Sequence, residues 1–348
     1  MQFIEAGVAK HMTVAGGAFA LSLLVALGAA RADDKTYVMK ITLPTLNDAP
    51  HALAKNFAAA VERDSGGRIK AEIYPASQLG SIPRQIEGTQ FGAIQVCINP
   101  AEFFVGVDER FEVMTAPGMV ESLEHGQRLA ADPDVLKVML GLGADKGLHG
   151  VGMFIAEPDT LATKVRIAHL SDIAGKKIRI FASDFQAAAF KKLGATPVAM
   201  TLGDVMPALQ QGTIDGSIAG TPVFAAFHYQ DAAKYITETN QPSIFLVIEI
   251  SKTWYDALPA DLQQIIDKDA ATESVAINPA AKDLLNKSRK AWIDGGGELN
   301  SLPPDEQAQM IQTISTVAED VSKTKPALHD AYEIVAAAAR RLRPVPGQ

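Results

Sequence analysis

The chain has 348 residues, of which 47% are hydrophobic and 21% charged, so it can bury one large core or two moderate ones. Its formal net charge of −8, without a cluster of Lys and Arg among aromatics, argues against a nucleic-acid-binding surface. The seven histidines include no pair at metal-ligand spacing, and the single cysteine, Cys97, cannot complete a thiolate site or an internal disulfide. No metal or cofactor is predicted.

The N-terminus predicts a secretory signal peptide, residues 1–32. Lys10 and His11 give a weakly basic start, residues 14–29 form an apolar run, and Ala30-Arg31-Ala32 matches an A-x-A cleavage site after Ala32. The run is shorter than the roughly 20 residues that a bilayer span needs, so a retained anchor is the weaker alternative. Together with the lone cysteine, this signal predicts a bacterial periplasmic protein.

The segment after the signal alternates strand and helix patterns. YVMKITL is typical of a strand, and the loop Asn47-Asp48-Ala49-Pro50 then offers a helix cap and an early proline. Leu53, Phe57 and Val61 follow at helical spacing, and RIKAEIYP alternates like a second strand. Such alternation predicts an α/β fold with a largely parallel sheet.

A weak internal repeat indicates two lobes. QFGAIQVCI (90–98) and QQGTIDGSI (210–218) share the pattern of helix end, glycine and strand, and each follows a predicted helix, over 83–89 and 202–209. The second helix begins at Thr201 with Asp204 three residues later, which resembles a capping box. We therefore expect two lobes, each with its own sheet, and a ligand cleft between them.

The C-terminal part is predicted to be mainly helical. SIFLVIEIS (243–251) is apolar enough for a buried strand, and a helical region over 258–292 follows it. Pro279 should kink or split that region, and the tail over 304–342 is again helical by pattern. The fold class is therefore α/β, with long C-terminal helices.

The stretch GKKIRIFASD contains a cation inside a strand pattern. Ile178 and Ile180 point one way, whereas Lys177, Arg179 and Phe181 point the other. Arg179 either lies on the wet face of a half-buried strand or faces a cleft, where its guanidinium binds an anion. The residues alone favour the first interpretation.

Motifs that suggest catalysis have simpler explanations. Asp64-Ser65-Gly66-Gly67 matches the tetrad around a serine-protease nucleophile, but its place between a helix and a strand indicates a helix-ending turn. The glycines of residues 141–147 have the wrong spacing for a dinucleotide loop and predict an ordinary loop. Without a phosphate loop, a nucleophile elbow or paired carboxylates, the chain is predicted not to be an enzyme.

Four stretches, in order, resemble the solute-binding proteins of TRAP (tripartite ATP-independent periplasmic) transporters, the DctP type. They are GGRIKAEIYPASQLGSIPRQIEGTQFGAIQV, LSDIAGKKIRIFASDFQAAAFKKLGATPVAM, DVMPALQQGTIDG and ISKTWYDALPADLQQ. The resemblance implies a two-lobed periplasmic binding protein fold that closes on a small organic acid and delivers it to TRAP membrane permease subunits. It also implies that Arg179 faces the cleft and binds the ligand's carboxylate, with Phe181 and Ser183 lining the pocket.

Departures from the family pattern bear on the ligand. Where many members carry an asparagine after the D-G pair, this chain has Ala219, so Thr221 or Gln241 is the candidate replacement. The stretch FIAEPDTLATK lacks the second arginine that sialic-acid receptors have. The charged positions that follow the strand AIQVCI in those receptors correspond to Asn99 and Glu102, and Glu102 either contacts the ligand or faces solvent.

Three further residues are candidate contacts: Asn47 and His51 near the first helix start, and Leu202. A solvated His51 at a helix start is the alternative to a ligand contact. Fewer cations, together with Phe181, Phe103 and Leu202, favour a monocarboxylic acid with an apolar or aromatic body over a C4-dicarboxylate or sugar acid. Glu102 leaves room for a hydroxyl or amine on that acid.

We predict residues 33–156 plus 242–282 as lobe 1 and residues 157–241 plus 283–348 as lobe 2. The expected partners are the organic acid and the permease, with no nucleic acid, and the protein is predicted to be a monomer. The alternatives are a receptor for an ABC importer or chemosensor and a secreted hydrolase or lyase, which would turn over a bound acid.

Overall fold

The computed structural model describes residues 35–344, apart from the side chains of residues 240–243. The predicted signal peptide, residues 1–32, and its cleavage site lie outside the described residues. Within residues 35–344, no helix is both long enough and apolar enough to cross a bilayer.

The described chain alternates helices and strands. The strands are β1 (Tyr37–Thr42), β2 (Ile69–Tyr74), β3 (Val96–Pro100), β4 (Leu148–Thr163), β5 (Lys177–Ile180), β6 (Thr196–Ala199), β7 (Gly216–Ala219), β8 (Tyr235–Ser251) and β9 (Glu298–Ser301). The α-helices are α1 (Ala49–Asp64), α2 (Ile82–Gln90), α3 (Leu123–Ala130), α4 (Pro133–Met139), α5 (Asp184–Lys192), α6 (Leu202–Gln211), α7 (Thr221–Ala226), α8 (Lys252–Asp256), α9 (Ala260–Ala276), α10 (Asn278–Asp294), α11 (Pro304–Ile314), α12 (Val317–Ser322) and α13 (Pro326–Arg341). Short 3₁₀ segments lie at Ala101–Phe104, Glu109–Thr115, Ala144–Lys146, Leu170–Ile173 and Tyr229–Asp231.

These strands form one sheet in the order β2-β1-β3-β8-β4-β7-β5-β6, with β9 added beside β8, so the expectation of a separate sheet in each lobe is wrong. Strand β1 is parallel to β2 and β3, and β5 is parallel to β6 and β7. The long strands β4 and β8, here called the crossing strands, pair antiparallel with each other and join the two parallel sets. The predicted α/β class is confirmed, but the centre of the sheet is antiparallel because the two crossing strands run between the sets in opposite directions.

The internal repeat seen in the sequence is a repeat of topology. The units β1-α1-β2-α2-β3 and β5-α5-β6-α6-β7 each place their first strand centrally, their second strand outside it and their third strand next to a crossing strand. The predicted capping box at the start of α6 is wrong. The Thr201 hydroxyl donates to the Asp204 carboxylate over 2.7 Å and makes no hydrogen bond to the helix backbone.

Helix α1 begins and ends as its sequence predicts. Asp48 caps it by accepting a hydrogen bond from the His51 N–H over 3.1 Å. Its end is the turn at Gly66 and Gly67, whose φ angles of 63° and 79° favour glycine. The tetrad that resembles a protease motif is therefore a helix-ending turn. The glycines of residues 141–147 lie in a loop around a short 3₁₀ segment, also as predicted.

The C-terminal helices are long, as expected, and α9 and α10 are divided at Ile277, with Pro279 in the first turn of α10. Helix α13 packs against the helices that follow β3. His125 Nε2 is hydrogen-bonded to the Ala339 carbonyl over 2.9 Å, and Arg341 pairs with Asp132 over 2.6 Å. The lobe boundaries stay a prediction, since α13, predicted within lobe 2, contacts helices predicted within lobe 1.

Candidate ligand-binding cleft

A cavity with an empty volume of about 450 Å³ lies where loops from both parallel sets meet the crossing strands. Its polar lining residues are Thr45, Asp48, Glu157 and Arg179. Most of the remaining wall is apolar, and it includes Phe103, Phe181, Leu202, Val223, Ile244 and Leu246. We call this cavity the cleft. Three residues predicted from the sequence, Arg179, Phe181 and Leu202, lie together in it.

Arg179 reaches the cleft because β5 alternates. Ile178 and Ile180 lie in a small apolar cluster on one face, so Arg179 points to the other. It is 0% exposed, which excludes the interpretation of a wet strand face. Its Nε donates to the Met200 carbonyl and its Nη1 to the Ile218 carbonyl, both over 3.0 Å. These bonds fix the guanidinium at the ends of β6 and β7.

Two aromatic rings form one wall beside the guanidinium. The Cζ atom of Arg179 lies 4.5 Å from the centre of the Phe181 ring, which is a cation–π distance. Phe103 packs against Phe181 with ring centres 5.6 Å apart. This wall holds Arg179 in a dry environment, and burial lowers its pKa to about 10, which is still high enough to keep the charge at neutral pH.

Two carboxyl groups share the cleft with Arg179. The side chain of Glu157 lies across Gly220, where an added Cβ would stand only 1.9 Å from Oε1, so the glycine is required for this packing. Burial raises the pKa of Glu157 well above its usual value, and the charges of Asp48 and Asp159 raise it further. Burial also raises the pKa of Asp48.

Glu102 and Asp159 line a second, larger cavity with an empty volume of about 730 Å³, whose other walls include Phe190, Ile218 and Met310. Ile218 and Ala219 are successive residues of β7, so this cavity and the cleft lie on opposite faces of that strand. Burial raises the pKa of Glu102 to about 8 and that of Asp159 to about 7. The positive charge of Arg179 opposes both increases. Glu102 is 2% exposed, so it does not face solvent.

Three other candidates are buried outside the lining of the cleft. Ser183 caps α5 by accepting from the Gln186 N–H over 3.1 Å, and its hydroxyl donates to Glu112 over 3.0 Å. Thr221 begins α7 with its hydroxyl 3.5 Å from that of Thr160. Asn99 lies in β3, and its side-chain amide has no hydrogen-bond partner among the described residues. As ligand contacts, these three stay predictions.

Near α1, the ring of His51 is occupied by its own loop. Its Nδ1 accepts from the N–H of Asn47 over 3.1 Å, which leaves Nε2 to carry the proton of the neutral ring. Burial, followed by the charge of Lys55, lowers the pKa of His51. Asn47 is exposed, with a φ of 60°. The side chain of Gln241 lies outside the described residues.

Reasoning from the sequence missed the acids of the crossing strand β4, Glu157 and Asp159. The stretch FIAEPDTLATK was read only for its missing arginine, although two acids around a proline in an otherwise apolar strand were the available signal. Asp48 was recognised only as a helix cap. Within residues 35–344, no group of three or more His, Cys, Asp or Glu side chains is arranged to hold a metal ion.

Comparison with known proteins identifies the family. The family model described as bacterial extracellular solute-binding protein, family 7 (DctP) matches residues 43–324. The C4-dicarboxylate-binding periplasmic protein DctP of Rhodobacter capsulatus is 26% identical over 311 residues, which cover 88% of this chain and 92% of that protein.

Solved structures agree in fold. A TRAP periplasmic solute binding protein from Desulfovibrio salexigens with bound orotic acid gives a TM-score of 0.83 at 18% identity, covering 88% of this chain and 100% of the other. One from Shewanella oneidensis with bound succinate gives 0.80 at 23% identity, covering 87% and 99%. The two-lobed fold is therefore shared with these proteins, and the chain belongs to the DctP-type solute-binding proteins of TRAP transporters, family 7 of the bacterial extracellular solute-binding proteins.

Proposed function

We propose that this protein is a periplasmic receptor that captures an organic monocarboxylate with an apolar or aromatic body and delivers it to a TRAP membrane permease. Arg179 is the anchor for the carboxylate. The observation that carries this proposal is a buried guanidinium whose Nη2 has no hydrogen-bond partner among residues 35–344, in a cleft that is otherwise largely apolar. Buried polar groups are almost always paired, so this nitrogen is the place for a ligand atom.

The remaining geometry of Arg179 suits a carboxylate. Nη2 has two hydrogens, and Nη1 keeps one beyond its bond to Ile218, so neighbouring nitrogens offer donors to both carboxylate oxygens. Because Nε and Nη1 are already held by carbonyl groups, little side-chain entropy is lost on binding. The anchor is therefore preorganised.

Complete burial of Arg179 supports capture by hinge closure. A ligand can reach Nη2 only if the walls of the cleft separate. Contacts between the two predicted lobes are available to hold the closed form: Glu112, from the segment after β3, accepts from Ser183 and from the Phe185 N–H at the start of α5. The ligand would add contacts to both walls and so favour closure.

The apolar wall supports the monocarboxylate over a C4-dicarboxylate or sugar acid. A second carboxylate would need a second cation, and Arg179 is the one Lys or Arg that lines the cleft within the described part of the chain. Relatives do include a C4-dicarboxylate-binding protein and a structure with bound succinate, so the alternative ligand class belongs in the test.

We propose no catalytic activity, because the family to which the chain belongs is one of solute-binding proteins. A receptor serving an ABC importer or chemosensor has no observation that favours it over the TRAP assignment. The proposed receptor acts as a monomer. Its proposed lobes are residues 33–156 plus 242–282 and residues 157–241 plus 283–348. The signal peptide of residues 1–32 directs its export to the periplasm.

The test is a thermal-shift screen of ligand-free protein, prepared from residue 33 onward by unfolding and refolding. Aromatic and aliphatic monocarboxylates, C4-dicarboxylates and sugar acids are compared, each beside its primary amide as an uncharged control. A ligand that binds only the folded state raises the melting temperature. We expect an acid from the first group to raise it most and its amide to have no effect. If no acid raises the melting temperature, the receptor proposal fails.

A further inference from the structure

Each of five buried charged side chains, three lining the cleft and two lining the second cavity, has one polar atom without a hydrogen-bond partner in the described structure. Arg179 offers a donor, Nη2, and the other four atoms belong to carboxyl groups. These four atoms are Asp48 Oδ2, Glu102 Oε2, Glu157 Oε2 and Asp159 Oδ1. Leaving such groups unpaired is costly, so the set describes what the ligand must supply. The ligand must supply one acceptor for Arg179 and several donors for the carboxyl groups.

The titratable groups around the cleft are unbalanced in the same direction, with four acids to one arginine. When they are ionised, Glu102 and Asp159 favour the charged form of Arg179. Asp48 and Glu157 lie in the cleft itself, where the charge of Asp48 raises the pKa of Glu157 further, and no Lys or Arg other than Arg179 lines it within the described residues. A ligand with only a carboxylate would satisfy Arg179 but leave the unpaired oxygens of Asp48 and Glu157 without a partner.

Asp48 and Glu157 are fixed in place before a ligand arrives. Oδ1 of Asp48 caps α1, the side chain of Thr45 interacts with the same carboxyl group, and Glu157 lies across Gly220. Both side chains line the same cavity as Arg179, whose other walls are mainly apolar. A polyhydroxylated acid would find few partners for its further hydroxyl groups on such walls.

We propose that the ligand is a zwitterion, an inference that rests on the proposed function. Its carboxylate binds Arg179, and a cationic nitrogen lies against Glu157 and Asp48. The ammonium group donates to the unpaired oxygens of both acids, and its positive charge favours their ionised forms against the effect of burial. The apolar body of the ligand packs on Phe103, Phe181 and Leu202. The chemical class is an amino acid, or another amine-bearing carboxylic acid, with an apolar side chain.

The experiment uses ligand pairs that differ only in the amino group. Ligand-free protein is titrated with L-leucine and 4-methylpentanoate, with L-phenylalanine and 3-phenylpropanoate, and with succinate and glucuronate. Melting temperature and calorimetric affinity are recorded for the native protein, for Glu157→Gln and for Asp48→Asn. Both substitutions keep the size of the side chain but remove its charge and replace one acceptor oxygen with an NH₂ donor, and asparagine caps helices as well as aspartate does.

We expect an amino acid to bind at least tenfold more tightly than its deaminated partner, and Glu157→Gln to remove that preference. Asp48→Asn should reduce it without unfolding the protein. Tighter binding of a deaminated acid, succinate or glucuronate would overturn the zwitterion and leave the carboxylate receptor standing. An amino-acid preference that survives Glu157→Gln would overturn the assigned nitrogen site. If none of the six compounds binds, both this inference and the proposed function are contradicted.

Discussion

Burial, more than neighbouring charge, controls how the acids around Arg179 titrate. Glu102 has its pKa raised from 4.5 to about 8, and burial is the largest cause, with the charge of Asp159 adding to it and that of Arg179 opposing it. The folded protein therefore holds this proton over a pH range in which the unfolded chain has lost it. For such a group, the free energy of unfolding is greatest below pH 4.5 and decreases as pH rises towards 8.

We therefore expect ligand-free protein to become less stable between pH 5 and pH 8. Glu102 alone contributes on the order of 3 kcal/mol to this decrease, or roughly 5 °C or more in melting temperature. Thermal melts of the native protein and of Glu102→Gln across this range measure it. The variant should give a flatter profile, whereas Glu87→Gln, at an exposed helical position, should follow the native curve. Parallel profiles for Glu102→Gln and the native protein would show that Glu102 ionises normally.

For individual residues, the sequence predicts the direction of a side chain better than it predicts the hydrogen-bond partners of that side chain. Alternation in KIRIF correctly separated Arg179 and Phe181 from Ile178 and Ile180. The hydrogen bonds of Ser183 depend on Glu112, 71 residues away, which local pattern does not reveal. Glu157 and Asp159 of β4 were missed because FIAEPDTLATK was compared with the family pattern only for an arginine, and its carboxylates were not considered.

Among the elements, the crossing strands carry the features of a hinge. Strand β4 pairs with β8 with one register shift, at Gly150–Gly152, before Ile155. Three further shifts then follow closely, between Ile155 and Glu157, between Glu157 and Asp159, and between Asp159 and Thr160. Such irregular pairing bends a strand and removes ladder hydrogen bonds. Glu157, which lines the cleft, and Asp159, which lines the second cavity, therefore lie at the point where the two parallel sets are joined.

We expect hydrogen exchange to report closure at this point. The amides of Glu157, Asp159 and Thr160 should exchange quickly in ligand-free protein and become protected when the ligand binds, because closure restricts the irregular part of β4. The amides of residues 153–155, which pair regularly with β8, are the internal control and should stay protected throughout. Equal exchange at Glu157–Thr160 with and without ligand would place the hinge elsewhere.

Element boundaries followed from local signals where those signals were strong. The proline at position 279 divides α9 from α10, and the Asp48 cap starts α1. The bounds of the long crossing strand β4 were harder to predict, because FIAEPDTLATK combines a proline and two acids that weaken a strand pattern. The continuity of the two crossing strands comes from their pairing with each other, a contact distant in sequence.

For the whole molecule, a nine-residue internal echo predicted two similar units, and the sheet contains that repeat on either side of the crossing strands. The antiparallel centre of the sheet and the path of α13 back to the helices after β3 did not follow from the sequence. Both depend on contacts between distant segments, which patterning does not encode locally. The two-lobed architecture nevertheless brings Arg179, Asp48 and Glu157 to one cavity from three separate parts of the chain.

The proposed receptor depends on a buried Arg179 that anchors the carboxylate of the ligand. The most direct measurement is calorimetric affinity for the best-binding acid in the native protein, in Arg179→Lys and in Arg166→Lys, a control at an exposed arginine. Lysine keeps the charge but loses the planar fork, so we expect Arg179→Lys to weaken binding by about 100-fold or more, with circular dichroism unchanged, and Arg166→Lys to match the native protein. Native affinity in a folded Arg179→Lys variant would show that Arg179 does not anchor the ligand.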